Sequence, residues 1–122
     1  MPANLSFEEK LKETRDAGFD YMELSIDETD EKLARLDWSS TQIKDLRHAM
    51  ENTEIPIYSI CLSGHRRFPL GDEVTQRRER GLEMMKQCCV LSASLGVRII
   101  QIAGYDVYYT ASTEKTRELF AD

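Results

Sequence analysis

A nine-residue pattern occurs twice in this chain, and it restricts the possible folds more than any other feature. Ala17-Gly18-Phe19-Asp20-Tyr21-Met22-Glu23-Leu24-Ser25 aligns with Leu95-Gly96-Val97-Arg98-Ile99-Ile100-Gln101-Ile102-Ala103. Each copy reads as a helix end, a glycine stop, a strand, and a polar residue (Glu23 or Gln101) toward the strand's carboxyl end. A further apolar run, Ile55 to Leu62, falls between the copies. The unit is therefore roughly 35–40 residues, the size of a βα repeat. Short connections with right-handed crossovers make the implied sheet parallel.

The segments between the strands carry helix signals. Ser6 and Glu9 form a capping box before a helix whose apolar face is Phe7, Leu11 and Ala17, ended by Gly18. The first strand is expected over Phe19 to Ile26, followed by an acidic loop and a helical turn around Lys32 to Leu36. Ser39 and Gln42 repeat the capping box, and Ile43, Leu46 and Met50 mark the next helix. Pro56 suits the start of the second strand, where a missing donor is tolerated. The long loop Ser63 to Gly71 leads to a helix from about Asp72 to Leu95, with Leu82, Met85, Cys89 and Ala93 expected inward. The third strand, Val97 to Ala103, is almost continuously apolar, as a parallel strand covered on both faces would be. After the loop Gly104 to Ala111, Ser112-Thr113-Glu114 opens a last helix.

Two architectures use this unit, an open doubly wound sheet and a closed barrel. No Gly-x-Gly-x-x-Gly follows a strand, which argues against the nucleotide-binding version. A (β/α)8 barrel takes about 250 residues, so 122 residues with three strands supply less than half of one. The expected fold class is thus α/β: residues 1–122 as one segment of an open sheet or of an incomplete (β/α)8 TIM barrel, from a first helix to the start of a fourth, with both ends reading as cut.

The net charge of −6 disfavours nucleic acid and anionic membranes as partners, since both would repel the chain. No apolar stretch is long enough to span a bilayer and the N-terminus has no signal-peptide core, so a cytoplasmic address is expected. Cys61, Cys88 and Cys89 lack metal-ligand spacing and read as reduced, small apolar residues. Open strand edges suggest a homo-oligomer.

Ligand sites in parallel α/β folds lie at the carboxyl ends of the strands. There the chain places Glu23, then His65, Arg66 and Arg67, then Gln101, Tyr105 and Asp106. Forked arginine donors and an imidazole suit a phosphate or sugar oxyanion; pairing with the many acidic side chains is the plainer alternative for either arginine. His65, directly after Ser63-Gly64, is expected to face substrate, and it has no partner at metal-ligand spacing. Glu23 and Gln101 suit either a ligand or polar pairing between barrel layers. Tyrosines 105, 108 and 109 beside Asp106 suit sugar stacking, or simply cap a barrel mouth.

The stretches Glu23 to Glu31, Arg35 to Trp38, Cys61 to Gly71 and Gln101 to Tyr109 together resemble L-xylulose 5-phosphate 3-epimerases, whose relatives are called hexulose-6-phosphate isomerases. These belong to the xylose-isomerase-like TIM-barrel superfamily, which also includes endonucleases acting on abasic DNA. The resemblance implies epimerisation beside a ketone, assisted by a divalent metal, in L-ascorbate utilisation. It also implies that the metal ligands and acid/base carboxylates come from later strands. No catalytic or metal-binding residue is therefore expected here, no metal is expected to bind this chain alone, and the segment by itself is expected to be inactive. The competing expectation is a non-catalytic, self-associating chain.

Overall fold

A computed structural model describes residues 2–122. The first helix, α1 (Phe7–Asp16), starts at the expected capping box. The Ser6 hydroxyl accepts from the Glu9 amide, and the Glu9 carboxylate accepts from the Ser6 amide at 2.7 Å. At its other end the Gly18 amide donates to the Arg15 carbonyl and the Phe19 amide to the Thr14 carbonyl, with Gly18 at φ 85. The end of α4 (Thr75–Leu95) uses the same pair of bonds, Gly96 to Ala93 and Val97 to Ser92, with Gly96 at φ 74. The sequence repeat is therefore a repeated way of stopping a helix, one that requires a left-handed residue.

Between these stops lie β1 (Met22–Ile26), α2 (Asp30–Leu33), a 3₁₀ turn (Ala34–Asp37), α3 (Ser40–Thr53) and β2 (Ile57–Leu62). A 3₁₀ turn at Gly64–Arg66 precedes α4; β3 (Ile99–Ile102) and α5 (Glu114–Ala121) follow it. The strands form one parallel sheet in the order β1-β2-β3. Leu24 is level with Ile60 and Ile100, and Ile26 with Leu62 and Ile102. By the pleat these rows share the face that packs on the helices. Leu24, Ile26, Ile60 and Leu62 are buried there against Leu11, Met84 and Cys88. Each contributes about 1.5–3 kcal/mol by leaving water. The opposite face carries the rows Glu23-Ser59-Ile99 and Ser25-Cys61-Gln101. This is an open arc of a barrel, not a closed one.

Several details differ from expectation. The first strand begins at Met22, leaving Phe19 67% exposed after the helix stop. On α1 the second buried position is Thr14, since Ala17 is already the exposed cap. The inward stripe of α4 is Gly81, Met84, Cys88, Leu91 and Leu95, and Leu82 is 52% exposed. Both stripes have helical spacing; close approach of the preceding loop to Gly81, described below, selects the second. Nor is β3 covered on both faces: Ile99 and Ile102 are 44% and 46% exposed, because β3 is an edge strand. A register shift in β2 inserts Tyr58 between the Met22–Ile57 and Glu23–Ser59 pairs, a bulge that period-two alternation hides.

Candidate functional site at the strand ends

The loop after β2 is built against helices. The Ser63 amide extends the ladder by donating to the Ile26 carbonyl at 2.9 Å, and the chain then turns tightly through Gly64–Arg66. A Cβ at Gly64 would meet the ends of the Met84 and Leu33 side chains at 2.5 and 2.8 Å, so both would have to move to admit one. At Gly81, mid-helix in α4, a Cβ would run into the Phe68 carbonyl oxygen. Glycine costs a helix about 1 kcal/mol relative to alanine, and close packing of loop on helix explains its presence.

His65, the second residue of that turn, is 2% exposed. Its Nε2 lies 2.9 Å from the Gly81 carbonyl oxygen, and its buried Nδ1 has no partner among the described residues. Burial lowers its pKa, outweighing the Gly81 bond, so the ring is neutral with Nε2–H as donor. The histidine expected to face substrate thus faces α4.

Arg66 leaves the turn in another direction. Its guanidinium stands 5.2 Å over the Tyr108 ring, and no salt bridge engages it among the described residues. Tyr108 beside it, then Tyr105 and Glu28, hold its pKa above the ordinary arginine value. Tyr105 packs on Tyr108 at 5.2 Å between centroids, and its hydroxyl is buried without a hydrogen-bond partner. Burial raises the Tyr105 pKa and nearby Arg66 pulls it down. Tyr109 stands edge-on to Tyr108 and donates its hydroxyl to the Glu28 carboxylate at 2.5 Å. A positive fork, aromatic faces, a phenol and a carboxylate from three consecutive strand-end loops therefore converge. Such a set has the charge, aromatic faces and acceptor that an anionic, hydroxyl-bearing ligand would need.

The other expected residues lie apart from this cluster or are engaged. Arg67 pairs with Asp30 at 2.6 Å and stacks on Phe68. Asp106 accepts from Ser112 and Thr116 at 2.6 and 2.5 Å, bonds that hold its pKa down to about 2. Its carbonyl accepts from the Gly71 amide, joining the β2 and β3 loops. Glu23 and Gln101 share the inner face but different layers: Glu23 is level with Ser59, which donates to it, and Gln101 with Cys61. The repeat equates them, whereas strand stagger in a barrel sheet sets them one layer, about 7 Å, apart. Cys61, on that face, has its pKa raised by burial. Glu28, within the acidic loop after β1, is a cluster residue that the sequence does not single out. Its contact with Tyr109, 81 positions along the chain, distinguishes it.

Among the described residues no group of three or more His, Cys, Asp or Glu side chains has metal-binding geometry. The inner-face carboxylate Glu23 is taken up by Ser59. This donor set does not fit a complete divalent-metal site. A groove of about 570 Å³ lined by Lys44, Arg47 and His48 lies on the helical side, between α3 and α4, away from the strand ends.

Comparison with known proteins agrees with this fold. The family model described as xylose isomerase-like TIM barrel matches residues 11–122. The L-ribulose-5-phosphate 3-epimerase UlaE of Escherichia coli is 46% identical over all 122 residues, as is that of Shigella sonnei. The chain spans 43% of the length of these relatives. Among solved structures, the 3-keto-D-glucoside 4-epimerase YcjR from E. coli superposes with TM-score 0.68 at 17% identity, over 99% of this chain and 46% of that one. D-psicose 3-epimerase gives 0.63 at 15% identity, over 80% and 31%. A Mycobacterium smegmatis xylose isomerase-like TIM barrel protein in complex with magnesium gives 0.57 at 19% identity, over 80% and 30%. These structural likenesses establish the fold.

Proposed function

Because this chain belongs to the xylose isomerase-like TIM-barrel family, we propose that it is the substrate-binding part of a 3-epimerase interconverting L-xylulose 5-phosphate and L-ribulose 5-phosphate. The observation that carries the reading is the Arg66 guanidinium, stacked on Tyr108 yet, among the described residues, free of any carboxylate pair. Arg66 holds the phosphate end, with Tyr105 packed against Tyr108 beside it, and Glu28, oriented by Tyr109, accepts sugar hydroxyls. Glu23 and Gln101 line the wall along which the carbon chain lies. Arg67 and Asp106 shape the loops.

Epimerisation at C3 removes a proton made acidic by the C2 ketone and returns one on the opposite face. Binding the two ends of the sugar fixes C3 so that both faces can be reached. The residues described here bind and orient; they do not include an acid/base pair or a metal cage. The chain alone is accordingly inactive on this pentulose phosphate pair with divalent metal added, and measurable turnover would contradict that. We place the whole activity in cytoplasmic L-ascorbate-derived sugar metabolism, where a divalent metal serves the later strands. Calorimetric titration with L-ribulose 5-phosphate tests the site. Arg66→Lys removes the planar fork and weakens binding roughly tenfold; unchanged affinity would remove Arg66 from the site.

A second reading rests on the exposed Ile99 and Ile102 of edge strand β3 and the free edge of β1. Such edges favour self-association of a non-catalytic chain. Light scattering at high concentration separates the readings: a stable monomer counts against this one.

A further inference from the structure

We propose that His65 is a positioning residue, whose neutral Nε2–H clamps the loop after β2 onto α4 and thereby fixes where Arg66 meets the ligand. The inference rests on the sugar-phosphate reading of the Arg66 cluster. In a 3₁₀ turn successive side chains leave about 120° apart. His65 and Arg66 are neighbours in such a turn, one directed at Gly81 and the other over Tyr108. Any rotation of the turn moves both. Glycines 64 and 81 allow the close approach of loop and helix, and the His65 ring lies within van der Waals reach, 3.4 Å, of where a Cβ at Gly81 would stand. The hydrogen bond is the buried polar tie across this contact, and a helical carbonyl has a second lone pair to accept it.

The ring's other nitrogen sets the direction of the clamp. Nδ1 is buried and unpartnered, which a neutral ring tolerates as a bare acceptor. An imidazolium would add both a charge and an N–H with no acceptor, a much larger penalty. Substrate contact would have required an exposed nitrogen, which His65 does not have.

The test uses nitrogen NMR of the chain at neutral pH together with two variants. The His65 ring should show a proton on Nε2 and a bare Nδ1; a charged ring or the Nδ1–H tautomer would overturn the proposal. His65→Gln puts an amide N–H near the Nε2 position, whereas His65→Leu provides no donor. The Arg66 Nε–H resonance, displaced by the Tyr108 ring current, should be retained in the glutamine variant and lost in the leucine variant. Inorganic phosphate affinity should follow it, falling roughly tenfold or more with leucine. A leucine variant that keeps the displaced resonance refutes the clamp. If it does not fold, loss of the resonance in the glutamine variant refutes it equally, and retention supports it. Should the unmodified chain not bind phosphate, the sugar-phosphate reading fails, and the Arg66 resonance still decides the role of His65.

Discussion

The loops after β2 and β3 both bring residues to the candidate site, but they are held there by different forces. The β2 loop is packed: Gly64 against Met84 and Leu33, Gly81 against Phe68, and His65 in between. The β3 loop is tied by polar contacts, Asp106 to Ser112 and Thr116, Gly71 to Asp106, and Tyr109 to Glu28, several of them exposed. Its strand is an edge strand with exposed isoleucines. One loop is therefore positioned by the core and the other by its neighbours. Arg66 comes from the packed loop, whereas Tyr105 and Tyr108, against which it works, come from the tied one.

Overpacking the first loop should have the largest effect. Gly81→Ala gains helix propensity of about 1 kcal/mol but drives a methyl group into the Phe68 carbonyl. Overpacked contacts cost about 1–3 kcal/mol, and displacement of the loop also removes the His65 bond. A lower melting temperature is expected, with loss of Arg66–Tyr108 stacking; a more stable, unshifted variant would show that packing does not locate this loop.

Loosening the second loop should act locally. Asp106→Ala releases Ser112 and Thr116, so amides from 105 to 116, and that of Gly71 bonded to the Asp106 carbonyl, should exchange faster while those of 63 to 68 stay protected. Equal loosening of both loops would erase the distinction between them. The same tie has a pH signature. Asp106 is depressed to about 2 by its two hydroxyl donors, so its contribution is complete above the unfolded value near 4 and is lost as pH falls through about 2. At pH 3 the β3 loop should still be protected.

His65 gives the packed loop a different signature. Burial lowers its folded pKa below the unfolded value of about 6.5. Its contribution is therefore complete above that value and is lost as pH falls through the folded one. Stability should decline on mild acidification, and His65→Gln should flatten that decline; an unchanged slope would assign it to another group. The smallest change is expected at Arg67, whose side chain is 47% exposed in its pair with Asp30. Arg67→Ala should shift stability by less than about 1 kcal/mol.

The sequence makes some of these features legible and hides others, for physical reasons. Helix stops at Gly18 and Gly96 and the capping boxes at Ser6 and Ser39 are local, so they are visible in the chain itself. The parallel order follows from repeat length. The inward face of α4 is not legible, because two stripes share one period and only contact with Phe68 chooses between them. Glu28 and the Tyr58 bulge depend on partners distant in sequence. The Cys61 to Gly71 stretch marks the loop after β2 but does not show how its residues divide: His65 is buried and Arg66 lies over Tyr108. A 3₁₀ turn makes that division, and side-chain chemistry alone does not reveal which residue turns inward.

The most direct measurement is a residue-resolved NMR titration of the chain with L-ribulose 5-phosphate. The account predicts saturable shifts at Arg66, Tyr105, Tyr108 and Glu28, in the three strand-end loops. Shifts confined to the groove at Lys44, Arg47 and His48, or none at all, would contradict it.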